Sequence, residues 1–213
     1  MILGGLHESA QDFELLTAQL LLVGFRVTIF DDVSVDVEAG RLGVRLALEA
    51  AGSSEPLVLL GSDLGAVLVA GLVADSEVTI SAVVIGNLVT PTSRPSTVTV
   101  ADFAGFEETS TGLLPRDARL PVGIRLPDAH DIGVPALVFH GDADDVTEVS
   151  DAVSWASQLP FGSLRLVPNG DHHVLTGEAR RVIAASVVLF LERQRAGKSV
   201  LVDGFASTEL RRR

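Results

Sequence analysis

The residues best suited to chemistry in this chain lie in three short stretches, each following an apolar run. The first reads Gly61-Ser62-Asp63-Leu64-Gly65. A reactive side chain at the centre of a sharp strand-to-helix turn, a nucleophile elbow, sits on strained backbone. Only small residues fit two places before and after it. Centring on Asp63 puts Gly61 and Gly65 in those places, whereas centring on Ser62 would put Leu60 and Leu64 there. The spacing selects Asp63 and leaves Ser62 a bystander. A carboxylate so placed can attack an electrophilic carbon. An ordinary turn with an acidic residue favoured by the helix dipole has the same pattern.

The second stretch, His140-Gly141-Asp142-Ala143-Asp144-Asp145-Val146, follows the apolar run 136–139. Three carboxylates in four residues are hard to explain by packing. One could orient a histidine, fix its tautomer and stabilise the imidazolium. A solvated acidic loop, or an oxygen-ligand site for Ca²⁺ or Mg²⁺, is the alternative. The third stretch, Asn169-Gly170-Asp171-His172-His173, offers two adjacent histidines just past a strand, where either could act as a base.

These stretches must be brought together, and the rest of the chain indicates how. Apolar runs at 1–3, 25–30, 57–60, 78–85, 136–139 and 164–167 read as strands, with helices at 9–23 (capped by Ser9), 35–51, 64–74, 150–159 and 177–193. Strands apolar on both faces and separated by long helices imply a mostly parallel sheet covered on both sides. Right-handed crossovers then set every strand-to-helix turn along one edge, where ligands bind. Residues 90–134 break the alternation, with five prolines and no sustained period. This segment is expected to be a small lid, and Phe103, Phe106, Leu113 and Leu114 would make the pocket beneath it apolar. No linker divides the chain, so a single domain over 1–213 is expected, with a tail of unassigned structure from about 196.

Composition narrows the function. With 213 residues and 47% hydrophobic content the chain can bury a sizeable core. It has no cysteine, which excludes disulfides, thiolate nucleophiles and Cys-ligated zinc. A net charge of −12 repels polyanions, so no nucleic-acid partner is expected. No apolar stretch approaches the ~20 residues that a bilayer requires. The start lacks the basic residues and cleavage site of a signal peptide. A cytoplasmic protein with a small-molecule substrate, no membrane partner, no metal and no cofactor is expected; a homo-oligomer stays open.

The order of elbow, acid after a later strand and histidine after the last strand resembles the α/β-hydrolase superfamily. HGDADDV is similar to that family's acid loop, and PNGDHH to its histidine loop. ILGGLHES, a helix and GFRVTIFD resemble its oxyanion-loop strand, first helix and next strand. The resemblance runs from Met1 to about Arg195. It implies an α/β-hydrolase fold lacking the first two strands, Asp144 as the acid, His172 as the base, and a hydrolase for a small, largely apolar ester or other C–O or C–halogen bond. Asp63 would form a covalent intermediate, His172 oriented by Asp144 would activate water, and the Leu6 and Leu64 amides would form the oxyanion hole.

The sequence departs from the family in several places. Gly4-Gly5 stands where His-Gly is usual, and Asp63 replaces the commoner serine. Members with Asp there are mainly dehalogenases and epoxide hydrolases. Yet this chain has no tyrosine to protonate an epoxide, and Leu64 stands where a halide-holding tryptophan is usual. Its lone tryptophan, Trp155, is expected in core packing. One rival reading is a catalytically inactive scaffold that binds a small molecule or a partner. Another is a Rossmann-like nucleotide binder, which the absence of G-x-G-x-x-G and of G-x-x-x-x-G-K-[ST] opposes.

Overall fold

In the computed structural model, residues 1–51, 56–75, 79–91, 93 and 125–197 are described. Six strands, β1 (Ile2–Leu3), β2 (Ile29–Phe30), β3 (Val58–Ser62), β4 (Ala82–Gly86), β5 (Ala136–Gly141) and β6 (Gly162–Val167), form one sheet. Their order is β2-β1-β3-β4-β5-β6, and every pairing is parallel. The helices are α1 (Glu14–Leu22), α2 (Val37–Ala51), α3 (Leu64–Ala74), α4 (Val149–Ala156) and α5 (Arg180–Ala196).

Strand periodicity divides the apolar residues between two faces. Leu59, Val83, Ile85 and Val138 join the core under α2, α3 and α4, with Val44, Leu68 and Trp155. Leu60, Val84, Leu137 and Phe139 join the core under α1 and α5, with Leu16, Leu20, Val187 and Leu191. Two covered faces account for the continuous apolar runs of β3, β4 and β5. Helix α3 is apolar all round and buried on nearly every residue, as a helix enclosed by the fold must be.

The elements match the sequence reading with shifted boundaries and three corrections. Ser9 does not cap α1: its hydroxyl and amide bond the Asp12 carboxylate, and the helix begins at Glu14 after a turn. That local Ser-Asp turn competes with helix and wins. The strand expected over 25–30 is reduced to Ile29–Phe30, because β2 is an edge strand pairing only β1. Phe25 instead packs partly buried against the second core, beneath the Arg195 guanidinium at 4.2 Å. The expected strand over 78–85 begins at Ala82. The expected lid falls largely on residues 92 and 94–124, and the tail on 198–213, outside the described residues. Trp155 is buried as expected, and its indole N–H donates to Pro127 O at 3.0 Å. No helix among the described residues is long and apolar enough to cross a membrane.

Candidate active site

Parallel pairing aligns the ends of β1, β3, β5 and β6, and the turns that follow them converge as the topology requires. Asp63 links β3 to α3 at φ 51°, ψ −121°. A side chain other than glycine in this sparsely populated region costs about 1–3 kcal/mol, which the surrounding structure must sustain. Close approach at the flanking glycines does so. A Cβ on Gly61 would overlap Gly65 O and the Ala66 backbone, and one on Gly65 would overlap Leu3 O. Both small residues are dictated by backbone packed against backbone, as the spacing predicted.

Asp63, Asp144 and His172 are brought together. His172 Nδ1 lies 2.8 Å from Asp144 Oδ2, and its Nε2 lies 3.1 Å from Asp63 Oδ1. All three side chains are buried or nearly so. Burial by itself disfavours the imidazolium and is the strongest single influence on it. The hydrogen bonds and charges of the two carboxylates together outweigh it and push His172 up to about 10. Asp144 is pulled the other way. Burial raises it, but the His172 bond and charge and the Thr147 and Val146 amides hold it below the usual carboxylate range.

The acid loop distributes its three carboxylates among three environments. Asp144 Oδ1 accepts the Val146 and Thr147 amides at 2.8 and 2.9 Å, so the loop wraps around the carboxylate that meets His172. Asp142 Oδ1 accepts the Asn169 amide at 2.6 Å and straps the acid loop to the histidine loop. Asp145 faces solvent. The oxygen-ligand alternative gains no support here, since the three do not converge on a common point. Among the described residues the one group able to converge is Asp128, His130 and Asp131, all three exposed. His173 is exposed, its ring edge-on to that of His172. Under the acid loop, fully buried His140 donates from Nε2 to Thr147 O, 3.1 Å away, and burial lowers its proton affinity.

Leu6 and Leu64 are the residues expected to supply oxyanion donors. Leu64 opens α3, where first-turn amides have no partner within the helix. The Leu6 amide, however, donates to Asp63 Oδ2 at 2.7 Å. One carboxylate oxygen therefore meets the Leu6 amide while the other faces His172. Gly5 passes so close that a Cβ there would overlap the Asp63 carboxylate.

Sequence reasoning missed Glu8. It is only 4% exposed, and its carboxylate accepts the Gly5 amide at 2.7 Å and the Ser62 hydroxyl at 2.8 Å. An acid just ahead of a helix reads as a dipole-favoured surface residue, and nothing in its spacing distinguishes it from one. Ser62 is thus a bystander to the nucleophile position but not without a partner.

With fold and site in view, the molecule is defined as an α/β-hydrolase-fold protein, and solved structures agree. The Paleococcus ferrophilus monoacylglycerol lipase matches with a TM-score of 0.69 at 18% identity, over 91% of this chain and 93% of that one. MenH from S. aureus matches with 0.69 at 15% identity, over 91% and 93%. Est1E from Butyrivibrio proteoclasticus matches with 0.68 at 15%, over 92% and 87%. No family model matches the sequence, and no curated relative is similar to it.

Proposed function

We propose that the protein is a hydrolase that cleaves a C–O or C–halogen bond at a saturated carbon of a small apolar substrate, through an ester formed on Asp63. The observation carrying this reading is the division of the Asp63 carboxylate, Oδ1 on His172 and Oδ2 on the Leu6 amide. Attack on a carbonyl carbon would create an oxyanion needing the very donor that Oδ2 already occupies. Attack on a saturated carbon creates none. Oδ1 displaces the leaving group with its electron pair, and Oδ2 becomes the ester carbonyl oxygen, already seated on Leu6 N–H. That donor, with Leu64 N–H, then serves the second step, when hydroxide adds to the ester carbon and charge develops on Oδ2. Collapse restores the Asp63 carboxylate and frees the alcohol.

His172 is regulated by the same charges. Between two carboxylates it is an imidazolium and no base. Esterification neutralises Asp63, leaving Asp144 as its single anionic neighbour, and its proton affinity falls. The imidazolium then sheds a proton, and the neutral imidazole it becomes is able to take one from water. The base is available when an ester exists to be hydrolysed. A lipase among the structural neighbours supports a hydrolytic reading in general terms.

The test is proton release by the wild type over 1-bromobutane, chloroacetate, 4-nitrophenyl acetate and γ-butyrolactone, with diol formation from styrene oxide followed separately. His172→Ala is incubated with the same probes, and its intact mass and peptides are measured. Turnover of an alkyl probe by the wild type is expected, with an alkyl adduct on the Asp63 peptide of His172→Ala. A folded wild type silent on every probe, with no adduct in the variant, would move the inactive binding scaffold ahead.

A further inference from the structure

Leu6 can serve the oxyanion position only if its loop is fixed, and a five-residue turn carrying Gly4 and Gly5 is not inherently rigid. We propose that Glu8 is a positioning residue, its buried carboxylate clamping the Gly5 amide to the Ser62 hydroxyl and thereby holding the Leu6 amide on Asp63. This inference rests on the proposed role of the site.

The clamp has two arms. Within the loop, Gly5 N–H donates to Glu8 Oε2 at 2.7 Å, while Glu8 N–H donates back to Gly5 O at 3.1 Å. This reciprocal pair closes the turn around Leu6 and His7, the latter at φ 62°. Across the site, Ser62 Oγ donates to Glu8 Oε1 at 2.8 Å. Ser62 immediately precedes Asp63, so one side chain ties the donor loop to the strand bearing the reactive group. A third anchor holds the clamp itself, the Asp32 amide donating to Glu8 O at 2.8 Å.

The residue type fits this task. A carboxylate accepts on both oxygens at once. A glutamine would accept from Gly5 but could only donate toward Ser62, reversing that bond. Keeping a carboxylate here is costly. Burial is the main cause that pushes Glu8 up to about 7, against the Gly5 and Ser62 bonds and the nearby His172, with the Asp63 charge adding to the rise. A residue needed only to fill space would not carry that penalty.

Hydrogen exchange of the Leu6 amide in ¹⁵N-labelled protein tests the proposal without any substrate. Glu8→Ala is expected to speed Leu6 exchange by about tenfold or more while the Leu59 and Val84 amides keep their protection. Glu8→Gln should restore most of the protection. Ser62→Ala cuts one arm by deleting a single hydroxyl, and it should show a smaller acceleration even if Glu8→Ala does not fold. On whichever alkyl probe the wild type turns over, kcat should fall with Leu6 protection while KM changes little. Unchanged Leu6 exchange in a folded Glu8→Ala or Ser62→Ala protein would overturn the clamp. A wild type silent on all probes would sink the hydrolase reading yet leave the exchange experiment decisive for Glu8.

Discussion

The elbow after β3 and the acid loop after β5 each place one aspartate against His172, and they treat it in opposite ways. Asp144 is held by three hydrogen bonds. Its side chain is wholly shielded from solvent, one oxygen takes two loop amides, and the other takes His172. Asp63 is sparsely held by the Leu6 amide and His172, its side chain is 11% exposed, and its backbone is strained. A carboxylate held by three hydrogen bonds and shut off from solvent is a fixed support. One with capacity to spare, at the sheet edge, is able to react. Under the proposed function, the same residue type thus acquires two roles from the backbone around it.

The sharpest way to break this comparison is to replace each aspartate by asparagine. Asp63→Asn removes the attacking oxygen pair, so turnover should fall by roughly 10⁴-fold or more, with no adduct formed. Asp144→Asn keeps the nucleophile. An amide that donates toward Nδ1 forces the wrong imidazole tautomer, and hydrolysis should slow by roughly 10⁴-fold in a comparable triad. Attack on the alkyl probe needs no base, so this variant should accumulate the ester on Asp63. Mass spectrometry separates the two outcomes. If both variants accumulate the adduct, or neither does, the division of roles fails.

The proton held between the two aspartates gives a second, smaller test. His172 has a folded-state value near 10 against an ordinary 6.5, so its contribution to stability is fully present below about 6.5 and is lost as pH rises through about 10. Glu8, raised from 4.5 to about 7, has the same sign over a lower window, its contribution disappearing as pH rises through about 7. Asp144, held low, contributes above the usual carboxylate range and is lost as pH falls through its lowered value. Denaturation midpoints followed from pH 6 to 10.5 should therefore decline in two stages. Glu8→Gln should abolish the first and spare the second. Asp63→Asn should move the second downward, with a matching fall in the His172 midpoint followed by NMR of its ring protons. An unmoved His172 midpoint in Asp63→Asn would mean that the elbow carboxylate does not hold the imidazolium.

How far the sequence reveals this arrangement depends on how local the constraint is. The central strands could be read because burial on both faces demands apolar residues at every position. Edge strand β2 could not be read at full length, because Phe25 and Val27 satisfy the same composition by packing outside the sheet. Asp63 was legible through the spacing of Gly61 and Gly65, whose size is set by the Gly65–Ala66 backbone one turn on and by Leu3 of the neighbouring strand. Choosing Asp144 over Asp142, and His172 over His173, needed the family resemblance, because the partners that separate them lie 27 and 28 residues apart in the chain. Glu8 was illegible for the same reason at greater range, Ser62 being 54 residues away.

Asp142 provides the mildest test, since it lies two residues from Asp144 and is also a bonded carboxylate of the acid loop. It is exposed, and its carboxylate accepts the Asn169 amide rather than meeting the imidazole, so it acts as a strap rather than a support for His172. Backbone bonds duplicate the strap: Asp142 N–H donates to Val167 O at 3.1 Å and Ala143 N–H to Gly170 O at 3.0 Å. Asp142→Ala should therefore cost about 1 kcal/mol of stability, the net worth of one hydrogen bond. Turnover should fall by less than about tenfold, since His172 keeps both of its aspartates. Urea denaturation and steady-state kinetics would check both values. A loss comparable to that of Asp144→Asn would mean that the acid loop positions the histidine as one cooperative unit, and the contrast between support and strap within it would have to be abandoned.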